Sequence, residues 1–203
     1  MGTDADRIAW RSAGSFDDLL GLTADFLEGR RGFFPGWGGG SMDEESDPLL
    51  PALRGALRAG LMTVASQPGA PFGPGHDGLT WGGRAFVGGF ALEDAGLRRL
   101  TADARRAGLL VLVEDSADGA EPAPLVAGLR DGVPYLLLGP GARSQELEIF
   151  EEHIAPSLQA ALAGRPFLWI VDPAWGRRDR LSGALAGPGR VSFRAANGRS
   201  PAP

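Results

Sequence analysis

The sequence predicts an α/β, or mixed α+β, fold: a single loop-rich domain with a mostly buried mixed sheet flanked by helices. Three observations predict it. Stretches with apolar residues at helical spacing alternate with continuous apolar runs of strand length, LLVLVE, VPYLLLG and FLWIVDP. At 203 residues and 43% hydrophobic, the chain is long enough to bury one sizeable core. The 32 Gly and 16 Pro cut it into short elements joined by irregular loops, which argues against a plain doubly wound sheet.

The elements follow in order. Residues 1–14 form an N-terminal arm. Ser15 is placed to cap a helix, with Asp18 three residues on, and Leu19, Leu20, Leu22, Phe26 and Leu27 give that helix an apolar face ending at Gly29. Gly29–Glu45 is a loop by its Gly and Pro content; its aromatics Phe33, Phe34 and Trp37 either fold back onto the core, the favoured reading, or present a contact surface. Asp47 and Pro48 read as cap and first position of a second helix, PLLPALRGALRA, with Pro51 in its tolerant first turn. Gly60 ends that helix, and Leu61–Ala65 reads as a strand.

Pro68–Gly78 is a second Gly/Pro loop, and Arg84–Leu92 fits strand or helix. Leu97–Gly108 is a helix with an arginine-rich wet face. Leu109–Glu114 and Val133–Gly139 read as strands buried on both faces, separated by a loop. Ser144–Leu162 reads as one helix, Phe167–Pro173 as a strand, Arg180–Leu185 as a short helix and Arg190–Ala195 as an edge strand. Residues 196–203 read as a disordered tail.

Composition narrows the function classes. The net charge of −5 and pI near 5.1 lack the basic footprint of a nucleic-acid binder. All 20 basic residues are Arg, which with the abundant Ala and Gly points to a GC-rich genome rather than to phosphate binding. Without Cys there is no disulfide framework, thiolate zinc site or thiol nucleophile. The N-terminus has no secretory pattern and no apolar run approaches the ~20 residues of a membrane span, so a cytoplasmic protein is expected.

Motifs for chemistry are sparse. The chain has no GxxxxGK[ST] and no HExxH, and GWGGGS neither follows a strand nor opens a helix. GPGARS, Gly139–Ser144, sits between strand and helix, where an ordinary turn is favoured over an anion site. His76 and His153 lack metal-ligand companions, so no metal is expected, and Ser66 lacks the setting of a nucleophile elbow. No catalytic residue stands out.

One juxtaposition is suggestive. Glu45 lies 18 positions before Thr63, with a single helix between them. A helix followed by a strand returns the chain beside its own start, so Glu45 and Ser46 are expected to face Thr63, Ser66 and Gln67 across a shared pocket. Helix-dipole complementation alone also explains the acidic cluster Asp43–Ser46. Trp81 and Trp169 read first as core aromatics, and second as flat walls for a purine or other ring.

The segment DFLEGRRGFFPGWGGGSMDEESDPLLPALRGALRAGLMTVASQPG, followed by LTWGGRAFVGGFA, resembles the C-terminal regulatory domain of eukaryotic methylenetetrahydrofolate reductase. FLEG, Glu45-Ser46, GLMTVASQP, TWGG and RAFVGGF occur in that family's order, with Val171-Asp172-Pro173 later. Small uncharacterised actinobacterial and phage proteins share the SQPG signature. The match is clearest over Asp25–Phe90.

That resemblance implies a domain that binds S-adenosylmethionine and performs no chemistry itself. It implies ligand contacts from Glu45, Ser46, Thr63, Ser66 and Gln67. Trp169 stands where the family has a Thr, and Gly83-Arg84 where it has Gln-Lys. The reductase barrel is missing, so reductase activity is not implied. The expectation is a stand-alone small-molecule-binding domain, for S-adenosylmethionine, S-adenosylhomocysteine or a related nucleoside, requiring no cofactor. The alternatives are an enzyme using Glu45 as acid/base and a regulatory interaction protein with a protein partner or a second copy. No partner among nucleic acids or membranes is expected.

Overall fold

The computed structural model describes residues 4–37, 40, 42, 44–92, 95–114, 123–177 and 179–186. Within them the chain forms α1 (Asp4–Arg11), α2 (Phe16–Leu27), a 3-10 helix (Glu44–Leu49), α3 (Leu50–Arg58), β1 (Leu61–Gln67), β2 (Ala70–Pro74) and β3 (Thr80–Ala91). Then follow α4 (Ala95–Arg106), β4 (Leu110–Glu114), β5 (Leu125–Arg130), β6 (Val133–Leu138), α5 (Ala142–Glu151), α6 (Pro156–Ala163), β7 (Phe167–Trp175) and α7 (Asp179–Leu185). The expected mixed α/β class holds. The strand expected over Arg190–Ala195 and the tail over 196–203 lie outside the described residues.

The sheet is organised around the twelve residues of β3. Its C-terminal part pairs with β1 on one side and β7 on the other; its N-terminal part pairs with β2 and β5. Beyond these lie β4, against β7, and β6, against β5. Every pairing among the described residues is antiparallel, which corrects the expected mixed sheet. The reason lies in one crossover. β3 and β4 are both antiparallel to β7 and so run the same way, joined through α4 as helix–strand alternation suggests. They are not neighbours: β7 occupies the position between them, running opposite.

Two strands read as buried on both faces are the outermost strands instead. In β4, Leu110 and Val113 reach solvent, and in β6 Val133 and Leu137 are 65% and 58% exposed. A short apolar run alone does not distinguish a central strand from an edge strand. The Gly- and Pro-rich segment around Ala70–Pro74 is a strand rather than a loop, because its pairing partner β3 supplies what propensity withholds.

Helix ends follow local chemistry. The Ser15 hydroxyl accepts the Asp18 amide, capping α2, and Gly29 leaves it at φ 72°, a conformation that favours glycine. Asp47 caps nothing: it lies within the 3-10 helix, and α3 starts at Leu50 with Pro51 in its first turn. The single helix expected over Ser144–Leu162 is two, because Pro156 opens α6 and forces Ala155 into an extended conformation (φ −64°, ψ 144°).

The core is aromatic at its centre. Phe150 of α5 meets Trp10, Phe34 and Phe90 edge-on at 5.9, 5.9 and 6.4 Å, and Phe90 meets Phe167 at 5.1 Å. Trp10 is fully buried and its Nε1 donates to the Phe33 carbonyl at 3.3 Å. The segment read as an N-terminal arm is therefore largely a helix, α1, seated on the core.

Candidate functional site

A cavity of about 340 Å³ opens at the C-terminal end of β1. Its walls come from four places: Thr23, Phe26 and Leu27 of α2; the chain from Phe34 through Trp37 and Met42 to Glu45 and Ser46; Leu53 of α3; and Thr63 through Gln67 of β1 with Pro68 and Phe86. Glu45, Ser46, Thr63, Ser66 and Gln67 thus share one cavity, as the spacing of the two segments predicts. A volume of this size is at the small end for metabolite sites, and the mix of apolar walls with a few polar groups is usual for them.

Each polar group has a local reason for its position. The 3-10 helix holds Glu45 and Ser46 directly before α3, and α3 returns the chain antiparallel so that β1 runs past them. Thr63 pairs with Gly89 and Ala65 with Gly88, leaving Val64 as an extra residue, a β-bulge beside the cavity. Bulges re-aim side chains, and Ser66 and Gln67 follow within three residues. The Gln67 amide lies across Gly83: a Cβ there would come within 2.5 Å of its Nε2. The Thr23 hydroxyl donates to its own helix, to the Leu19 carbonyl at 2.8 Å, so toward the cavity it can only accept. Among the described lining residues Glu45 alone carries a charge.

The two tryptophans do not line the cavity. Trp169 is buried behind it, packed edge-on against Phe86 at 5.5 Å, with its ring over Gly88, where a Cβ would lie 2.3 Å from the indole. Its Nε1 is buried without a partner. Trp81 lies in the other half of the sheet. Its Nε1 donates to Asp77 Oδ1 at 2.9 Å, Arg130 stacks 4.9 Å from its ring, and Tyr135 meets it edge-on at 4.9 Å. The Trp81 bond, then the Leu79 amide and Arg130, hold the Asp77 carboxyl below its ordinary range. Trp169 belongs to the core, the first of the two readings given above, whereas Trp81, half-buried in a solvated cluster, is neither a core aromatic nor a wall of the cavity.

Sequence reasoning missed Thr23, Phe26, Phe34, Trp37, Met42 and Phe86 as lining residues. Trp37 carried a signal: it is the one large aromatic of the Gly29–Gly40 loop that stays 38% exposed, whereas Phe33 and Phe34 are buried, as the favoured reading has it.

Other candidate sites resolve locally. The start of α5 at Gly139–Ser144 already holds an anion of the protein's own: Glu114 Oε2 accepts the Arg143 amide at 3.3 Å. His153 meets the Phe33 ring at 5.2 Å, and burial lowers its pKa. Burial also pushes the Glu146 carboxyl up to about 7. No group of three or more His, Asp or Glu side chains among the described residues is placed to hold a metal ion. No helix among them is long and apolar enough to cross a membrane.

No curated protein matches this chain. One family does, over residues 5–188, a span that takes in α1 from its second residue, every later element through α7 and the whole described lining of the cavity. The chain belongs to the family described as Domain of unknown function (DUF6919).

Proposed function

We propose that this protein is a stand-alone small-molecule-binding domain and that its ligand occupies the cavity beside β1, with S-adenosylmethionine, S-adenosylhomocysteine or a related nucleoside as the ligand class. The observation that carries the reading is the convergence of Glu45 and Ser46 with Thr63, Ser66 and Gln67 on one cavity from segments on either side of α3. The lining also favours an unphosphorylated ligand. Among its described residues there is no cationic side chain to neutralise a phosphate, and the Glu45 carboxylate suits an ammonium or sulfonium group. Phe34, Trp37 and Phe86 supply apolar and aromatic surface for a flat ring.

An acid–base enzyme finds less support, because the described lining residues include no second ionisable group beside Glu45. Calorimetry on the purified protein tests the binding reading. S-adenosylmethionine or S-adenosylhomocysteine should bind, and Glu45→Ala and Thr63→Ala should each weaken binding about tenfold, the scale of one lost polar contact. Absence of heat with both ligands defeats the proposal.

A further inference from the structure

A cavity that lies against the face of a sheet touches every second residue of a strand, because side chains alternate between faces. This one touches Thr63, Val64, Ala65, Ser66, Gln67 and Pro68, six in succession. The bulge at Val64 interrupts the alternation and Pro68 lies past the end of the strand, but the unbroken run Ala65–Gln67 still fits a cavity that reaches round the strand's free edge. The pairing agrees: β1 is bonded to β3 on one side, and no other strand among the described residues pairs with it. Beyond the β1–β3 ladder, no backbone–backbone hydrogen bond among the described residues involves positions 63–68. The unpaired edge of β1 therefore belongs to the segment that lines the cavity.

We propose that the ligand is recognised by the main chain of β1, which reads a planar group carrying a hydrogen-bond donor beside an acceptor, as an amino-heterocycle such as an aminopurine does. This rests on the small-molecule reading of the cavity. An edge strand presents alternating donors and acceptors in fixed geometry. Groups of this kind are costly to leave unpaired once a bound ligand shuts out water, so a ligand that satisfies them gains affinity and one that mismatches them loses it. Phe34 and Trp37 line the same space and provide faces for a flat ring, while a volume of about 340 Å³ is too small for an extended peptide laid along six residues. The side chains of Glu45, Ser46 and Thr63 then serve the remainder of the ligand rather than its ring.

The test compares four nucleosides by calorimetry on the whole protein: adenosine, purine riboside, which lacks the exocyclic amine, N6,N6-dimethyladenosine, which blocks it, and 1-deazaadenosine, which lacks the adjacent acceptor. Adenosine should bind, with each analogue at least tenfold weaker. Amide resonances of Thr63–Gln67 should shift with adenosine. Binding of all four within twofold, or unshifted amides at these positions with adenosine bound, overturns main-chain reading while leaving a small-molecule site intact. No binding of adenosine, or of either adenosyl ligand named above, removes both proposals. A synthetic extended peptide that binds and shifts the same amides, where adenosine does not, assigns the edge to strand addition and also overturns the heterocycle.

Discussion

β3 carries two Gly-Gly pairs, Gly82-Gly83 and Gly88-Gly89, in surroundings that differ sharply. Ala85–Ala91 are all buried between β1 and β7, beneath the aromatic core, and next to the cavity. Thr80–Gly83 lie between β2 and β5, where Phe72, Tyr135 and Val133 are exposed and Asp77, Trp81 and Arg130 form a partly solvated cluster. In the inner pair, the space left by a missing side chain is taken by backbone or by a buried indole. In the outer pair it is taken by the half-exposed ring of Phe72 and by the Gln67 amide. One strand thus serves two purposes. Its inner half is fixed by packing, and its outer half is a rim whose neighbours are able to move.

The largest expected effect tests the inner half. A Cβ at Gly89 would sit 1.9 Å from the Met62 carbonyl oxygen, and backbone cannot rotate away as a side chain does. Gly89→Ala should cost about 3 kcal/mol or more in denaturant unfolding, the upper range for overpacking a core. A loss below about 1 kcal/mol would show that β1 and β3 can separate, and the contrast between the halves would fail. Phe86→Ala follows, at about 3 kcal/mol by the usual cost of emptying a buried aromatic position. It removes the ring that both lines the cavity and supports Trp169, so Trp169 emission should also shift.

Gly82→Ala is the counterpart in the outer half. Its Cβ would meet the Phe72 ring at 2.4 Å, but that ring is 51% exposed and can swing out. The expected cost is below about 1 kcal/mol, and a value equal to that of Gly89→Ala would erase the distinction. The smallest effect concerns α5, whose Phe150 packs beneath the inner half. Burial raises the Glu146 carboxyl from 4.5 to about 7. Between those values the unfolded chain ionises first, so this group makes stability fall as pH rises, with the decline complete above about 7. Glu146→Gln should leave the melting temperature unchanged near pH 4 and raise it modestly at pH 8. Parallel curves for variant and wild type across that range would contradict the assignment.

These contrasts explain what was legible in the sequence. Elements with chemistry at their own ends were readable: Ser15 and Gly29 bracket α2, and Gly60 separates α3 from β1. Pairing partners were not. VPYLLL and LVLVE look like central strands because their apolar content says nothing about which neighbours they receive, and APFGP looks like a loop because its propensity is poor. The polar side of the cavity was readable because it comes from two segments joined by one helix. Its apolar side was not, since Phe26, Phe34 and Phe86 follow ordinary core patterning and only the assembled structure distinguishes a wall from a core. Asp47 illustrates the reverse error, where a correct capping pair is overridden by a 3-10 turn that moves the helix start by two residues.

The additional residue at Val64 has a consequence for how this strand is encoded. Upstream of it Met62 stands opposite Phe90; downstream Gln67 stands opposite Phe86, five positions along β1 against four along β3. Removing that one residue would even the count and let Ala65, Ser66 and Gln67 keep their present partners on β3, but the local twist that the bulge gives the cavity wall would be lost. The extra residue therefore shapes the wall of the cavity rather than the register of the sheet.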